Sequence, residues 1–280
     1  MEKRPRNKWV LALLTLSVLA FVSISIIPLV GGLLNPPASS SSQPNAPVVS
    51  EQGKLLEDQE KGYKSVVDRE PNNETALRGL FETRAQLIRI GKRTPEDLID
   101  PLEKLRAINP EQTDIAVLLA QTHEQVGDRE AAAQTYRDVL DQSPGDINAL
   151  QGLVSLFVQE NQSASAVELL RSTLAANQSE SSDTFDKSAV QILLGDVYAS
   201  QGSFDQALEL YDQLLAESPS DYRPMVGKAL ALKKQGSASD AQVWFDKAAS
   251  SAPAQFKEQI QQLAQQPLEL GESDPPTDTP

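Results

Sequence analysis

The chain has no cysteine and a single histidine, His123, in 280 residues. Disulfides, thiolate zinc sites, thiol nucleophiles and a lipid-modified cysteine anchor are thereby excluded. A histidine-based acid–base pair or metal site would lack its second member. Aromatic residues make up only 5% of the chain. Apart from Gly31-Gly32, the glycines fall singly, at turns or at close helix contacts such as Gly195, so no glycine-rich phosphate loop is present. Positive charge is also scarce: 25 lysines and arginines face 39 acids, for a net charge of −14. The first eight residues carry +3, which leaves −17 on the remainder. An acidic body of this kind repels phosphate backbones and argues against nucleic acid as a partner. Carboxylates paired at helical spacing are ordinary on solvated helix faces and single out no catalytic pair. No enzyme activity, cofactor or metal is expected.

Charge disappears altogether between Trp9 and Val30. Trp9 to Ile27 is nearly all apolar, and at about 1.5 Å rise per residue a helix of that length matches a bilayer core. Lys3, Arg4, Arg6 and Lys8 outweigh Glu2 ahead of it. The expectation is a basic cytoplasmic segment at 1–8, a transmembrane signal-anchor at 9–30, and everything after it across the membrane. A cleaved signal peptide ending near Val30-Gly31-Gly32 is the alternative. Residues 31–50 are rich in proline and serine and read as a spacer. The tail 267–280, with four acids and four prolines, reads as disordered.

Between these ends lies a spacing repeated four times. Gly127, Asn161, Gly202 and Gly236 serve as anchors. Five residues after each stands Ala132, Ala166, Ala207 or Ala241; nine after stands Tyr136, Leu170, Tyr211 or Phe245. Seventeen after come Pro144, Gln178, Pro219 and Pro253. Eight before come Leu119, Leu153, Leu194 and Lys228, and four before come His123, Phe157, Tyr198 and Leu232. Apolar residues flank each anchor at helical intervals, so each anchor marks a reversal between two helices. Glycine takes the left-handed conformation there without a Cβ clash, and asparagine is the next most tolerant residue. The alanine lets antiparallel helices approach, and the proline closes the unit. Ser-Pro-Gly-Asp at 143–146 and Ser-Pro-Ser-Asp at 218–221 supply turn and N-cap chemistry. His123 stands where sister units have Phe157, Tyr198 and Leu232, and so reads as a packing residue. The sequons at Asn73, Asn161 and Asn177 imply nothing unless the chain meets a glycosylation machinery.

The motif Leu194-Gly195, Tyr198, Gly202, Ala207, Tyr211 and Pro219 resembles the tetratricopeptide repeat (TPR) family at every small and large site. The unit at 113–146 is similar, with Ala120 and His123 in place of glycine and tyrosine. The unit at 222–253 departs at Lys228, and that at 147–187 has Gln178 for the proline and about seven extra residues. A weaker copy at 74–112 carries Leu77, Leu80, Leu98, Leu102, Leu105 and Pro110, preceded by a half-unit with Tyr63, Val66 and Pro71. The expected architecture is all-α: a helix-turn-helix solenoid of about five units at 51–266, behind one N-terminal transmembrane helix. A capping helix around Phe256, Ile260 and Leu263 closes it. Thr94-Pro95 and Asp100-Pro101 both look like helix starts, as one kinked helix or as a turn followed by a helix. Gln178 to Lys187 reads as a loop or as extra helical turns.

The resemblance implies that the first helix of each unit lines a concave groove. Its inward residues would be Arg78, Glu82 and Gln86; Gln121 and Gln125; Gln151, Ser155 and Gln159; Asp196; Arg223 and Lys233. Amide side chains both donate and accept, which suits an extended peptide backbone. The family's cationic clamp for chaperone C-termini is absent, since Val117, Gln121, Gln151, Gly152 and Ser155 occupy the comparable places. The implied partners are protein clients, in the form of membrane-complex subunits, held near the bilayer by residues 9–30. The arrangement is similar to thylakoid TPR proteins that assist assembly of photosynthetic complexes and to single-span periplasmic TPR proteins beside the secretion translocon. The solenoid would then face the periplasm or the thylakoid lumen. An exported soluble adaptor of the cell envelope, or a periplasmic chaperone of the translocon, is the alternative.

Overall fold

The computed structural model describes residues 46–177 and 185–266. The segments 1–8 and 9–30, most of the linker 31–50, residues 178–184 of the Gln178–Lys187 stretch and the tail 267–280 lie outside them. None of the described helices is long and apolar enough to cross a membrane.

Every described regular element is helical. The order is α1 (Ala46–Arg69), α2 (Glu74–Arg89), a 3-10 turn (Pro95–Leu98), α3 (Ile99–Ile108), α4 (Thr113–Val126), α5 (Arg129–Gln142), α6 (Ile147–Gln159), α7 (Ser163–Ala176), α8 (Lys187–Ser200), α9 (Phe204–Glu217), α10 (Tyr222–Lys234), α11 (Ala238–Ser251) and α12 (Ala254–Gln265). The five pairs from α2/α3 to α10/α11 are the expected units. Helix α1 is the preceding half-unit and α12 the cap.

All four anchors reverse the chain in the left-handed region: Gly127 at φ 84°, Asn161 at 58°, Gly202 at 77° and Gly236 at 95°. The side chains of Asn73, Asp128, Asp146, Asp186 and Asp221 accept hydrogen bonds from the first-turn N–H groups of α2, α5, α6, α8 and α10. Each such cap contributes about 1 kcal/mol. The expected alanines Ala132, Ala166, Ala207 and Ala241 are fully buried.

One boundary differs from the sequence reading, one expected cap is not made, and two open alternatives are decided. Helix α1 starts at Ala46, five residues inside the expected linker, because Pro47 is tolerated in a first turn. The 91–101 region is a turn followed by a helix, and Asp100 does not cap it. Leu98 holds the N-cap position, its side chain buried against α2 and α4, and Asp100 falls in the first turn. Helix α8 begins at Lys187 behind the Asp186 cap. Lys228, which breaks the leucine pattern, is accommodated by chemistry rather than by depth. Its ammonium sits 4.3 Å from the Trp244 ring centre and contacts Asp212.

The stack is locked by aromatic rings on second helices. Tyr136 and Tyr211 are buried, and both meet a glycine on the next first helix, Gly152 and Gly227 respectively. Tyr63 of α1 meets Gly79 in the same way. A Cβ at Gly227 would lie 2.6 Å from the Tyr211 ring, and one at Gly195 would lie 2.7 Å from it. The N-terminal end is tied by ionic contacts. Glu60 is 6% exposed and pairs with Arg84 at 2.9 Å and Arg93 at 2.6 Å. Burial pushes its carboxyl up, but the hydrogen bonds from Arg93 and Arg84 outweigh this and hold it below the usual carboxylate range.

Two substitutions check this packing. Ala207→Leu should overpack the α8/α9 pair, and Gly227→Ala should drive into the Tyr211 ring; each is expected to destabilise by about 1–3 kcal/mol in a denaturant melt. A neutral melt at either site would show the helices to be in another register.

Candidate functional site: the inner face of the solenoid

The first helices touch one another along the stack: α4 meets α6, α6 meets α8, and α8 meets α10. The second helices α3, α5, α7, α9 and α11 make no comparable contact among themselves. The first-helix row is therefore the short, inner side of the stack, and the second-helix row is the spread outer side. The spread opens two outer clefts. One of about 720 Å³ lies between α9 and α11, lined by Leu215, Met225, Val243 and Trp244. One of about 640 Å³ lies between α3 and α5, lined by Arg106, Leu119, His123 and Asp138. His123 thus sits half-buried at a cleft floor, its Nδ1 buried without a hydrogen-bond partner among the described residues.

The eleven residues read from the sequence all stand on first helices, and they fall into three groups. Gln86, Gln125, Gln151, Ser155 and Gln159 are exposed and Gln121 is half-buried. On α6 the 151, 155 and 159 positions form one face at helical spacing, with the Gln159 amide donating to Ser155 Oγ at 3.1 Å. This is an amide-rich strip free to donate and accept.

The cations are occupied by the architecture. Arg78 pairs with Glu74 at 2.8 Å and donates to Gln112 Oε1 at 2.9 Å. Arg223 pairs with Asp186 at 2.7 Å and Asp221 at 2.8 Å, which are the N-caps of α8 and α10. Hydrogen bonding to Asp221 first, and then to Asp186, raises its pKa further. Lys233 turns to the C-terminus of α12, where its Nζ donates to the carbonyls of Leu263, Ala264 and Gln266 at 2.9, 2.9 and 2.6 Å. That contact satisfies orphan carbonyls and complements the helix dipole. Desolvation lowers the Lys233 pKa.

The carboxylates form the third group. Glu82 is exposed and makes no ion pair among the described residues. Asp196 keeps open surface, and its Oδ1 accepts from the Tyr211 hydroxyl at 2.6 Å. Surrounding protein pushes its carboxyl up to about 6, against the Tyr211 hydrogen bond and the Lys234 charge, which lower it. Glu124, absent from the sequence reading, has the same device: its Oε1 accepts from the Tyr136 hydroxyl at 2.6 Å. Burial raises its pKa and the Tyr136 bond opposes this. The signal that could have found it is the spacing of Tyr136 and Tyr211 from the glycines sixteen residues on, Gly152 and Gly227. Each ring passes between first helices and delivers its hydroxyl to the inner row. No group of three or more His, Cys, Asp or Glu side chains converges as a metal site among the described residues.

A stack of helix pairs with a polar inner row defines a helix-turn-helix solenoid. Residues 92–248 match the sequence profile of the tetratricopeptide repeat, more than half of the chain, and the chain belongs to that family. Over 160 residues, 57% of its length, it is 28% identical to the cellulose synthase operon protein C of Pseudomonas fluorescens (strain SBW25). That stretch spans 12% of the relative's length. Among solved structures it is similar to a tetratricopeptide repeat protein from Parabacteroides merdae, with a TM-score of 0.52, 17% identity, and coverage of 78% of this chain and 90% of that one. It is also similar to yeast Tom70, with a TM-score of 0.51, 12% identity, and coverage of 73% and 42%. These likenesses establish the fold. Repeats of this family make protein–protein interaction scaffolds, generally without catalysis of their own.

The raised Asp196 carboxyl gives a pH test. Its folded value lies above the ordinary aspartate value of 3.8, so the folded chain binds this proton more tightly than the unfolded chain. The group therefore removes stability as pH rises through the window between the two values, which closes at about 6. Asp196→Asn cannot titrate. Its melting temperature should gain on the wild type across that window and converge with it in more acid solution. A constant difference at all pH values would show that the carboxyl is not raised.

Proposed function

We propose that this chain is a membrane-anchored scaffold that holds protein clients along the inner row of its repeats and assists assembly of a membrane complex. The observation that carries the reading is the amide-rich strip Gln121, Gln125, Gln151, Ser155 and Gln159 on adjacent first helices, on a fold whose family binds proteins. Such a strip offers both donors and acceptors to an extended backbone without demanding one side chain.

The anchor is the uncharged segment 9–30, with the basic residues Lys3, Arg4, Arg6 and Lys8 on its cytoplasmic side. On this reading the solenoid lies in the periplasm or thylakoid lumen, and a photosynthetic complex is one fitting client. Tethering confines the groove to the bilayer surface and raises its effective concentration for subunits already there. Zero cysteine and a net charge of −14 accord with a non-cytosolic protein that avoids nucleic acid.

Crosslinking and capture from native membranes tests the reading, with the full chain beside the compact unit Ala46–Pro280. The full chain is expected to retain membrane-complex subunits that the shorter unit recovers poorly. Equal capture of soluble proteins by both would replace this reading with an exported adaptor.

A further inference from the structure

The three cations expected to serve the groove are committed elsewhere. Arg78 is held by Glu74 and Gln112, Arg223 by two helix-capping aspartates, and Lys233 by the carbonyl end of α12. Glu82, Glu124 and Asp196 make no ion pair among the described residues. The uncommitted charge of the inner row is thus more negative than positive, with exposed Lys234 beside Asp196 and exposed Arg89, two turns on from Glu82, as counterweights.

Two of these carboxylates are positioned rather than merely exposed. A buried tyrosine ring, fixed by a glycine contact, donates its hydroxyl to one oxygen of Asp196 and one of Glu124, each at 2.6 Å. A carboxylate has further acceptor capacity after one such bond, so each retains lone pairs for a ligand. A group held in place before binding loses less freedom on binding. Ile192, half-buried, lies one turn before Asp196 on the same face of α8. Its side chain gives the Asp196 carboxylate one apolar neighbour, suited to the methylene stem of a lysine or arginine.

We propose that the inner face selects an extended basic peptide segment of a partner protein, with lysine or arginine side chains pairing with Asp196 and Glu124. This inference rests on the groove reading above and gives its client a charge. The two carboxylates stand on α8 and α4, with α6 between them. Two steps between neighbouring helix axes, at about 9 Å each, span roughly 18 Å. An extended chain rising about 3.3 Å per residue crosses that distance in about five or six residues. The preferred segment thus carries two basic residues at about that separation. Its backbone crosses α6 at Ser155 and Gln159, the C-terminal part of the amide strip.

The probes are three fluorescent peptides of alanine, leucine and glutamine, carrying at those two positions lysines, glutamates or glutamines. Anisotropy titrations use the full chain in detergent. The lysine peptide is expected to bind about tenfold tighter than the glutamate peptide at low salt, with the preference shrinking as salt is added. The combined Asp196→Asn, Glu124→Gln variant should lose that preference while still binding the glutamine peptide. Ser155→Lys, exposed on α6 and away from both tyrosine bonds, is the second variant and should reverse the order, so that the glutamate peptide binds tighter than the lysine peptide. Equal binding of all three peptides, or a preference that survives both variants, overturns the charge selectivity while leaving the groove in place. A folded chain that binds none of the peptides overturns the groove reading together with this one.

Discussion

The stack depends on one recurring contact: a tyrosine ring on a second helix seated against a glycine on the next first helix. Tyr136 on Gly152 and Tyr211 on Gly227 are the buried instances, and Tyr63 on Gly79 opens the series. The ring needs the missing Cβ to pass between two first helices. Once there, it joins the hydrophobic clusters of adjacent units and makes the repeats cooperative rather than separate. The same passage carries the polar tip to the inner row, where it meets Glu124 or Asp196. Packing and surface chemistry are therefore set by one side chain.

Charge is distributed by the same economy. A solenoid has two ends and many helix termini, and the few cations of this acidic chain are drawn to them. Arg84 and Arg93 neutralise buried Glu60 and hold α1 onto the first unit. Arg223 bridges two capping aspartates, and Lys233 closes the final helix. Each satisfies a group that would otherwise be orphaned or unpaired. What is left on the inner row is amide and carboxylate, a surface complementary to peptide backbone and to positive charge.

Much of the fold was legible because it rests on local rules. Left-handed turns demanded Gly127, Asn161, Gly202 and Gly236, close helix pairs demanded the four alanines, and N-caps appeared as Asp146 and Asp221. One expected cap failed where tertiary burial outweighed cap chemistry: buried Leu98 takes the N-cap position ahead of Asp100. Lys228 looked like a defect in the pattern, and only the placement of Trp244 and Asp212 explains it.

The candidate site was half legible. Periodicity put Gln151, Ser155, Gln159 and Asp196 on the inner row, because helical geometry repeats without regard to partners. It could not distinguish free charges from engaged ones. Arg78, Arg223 and Lys233 look alike in sequence, yet each is bound by groups that are 30 or more residues away or on another helix end. Glu124 gained a role only when Tyr136 reached it across the α4/α5 pair. The sequence by itself determined the repeat, its turns and its acidic character, since these follow from spacing and composition. The tertiary structure alone decided which charges remain free, since ion pairing depends on distances that only packing sets.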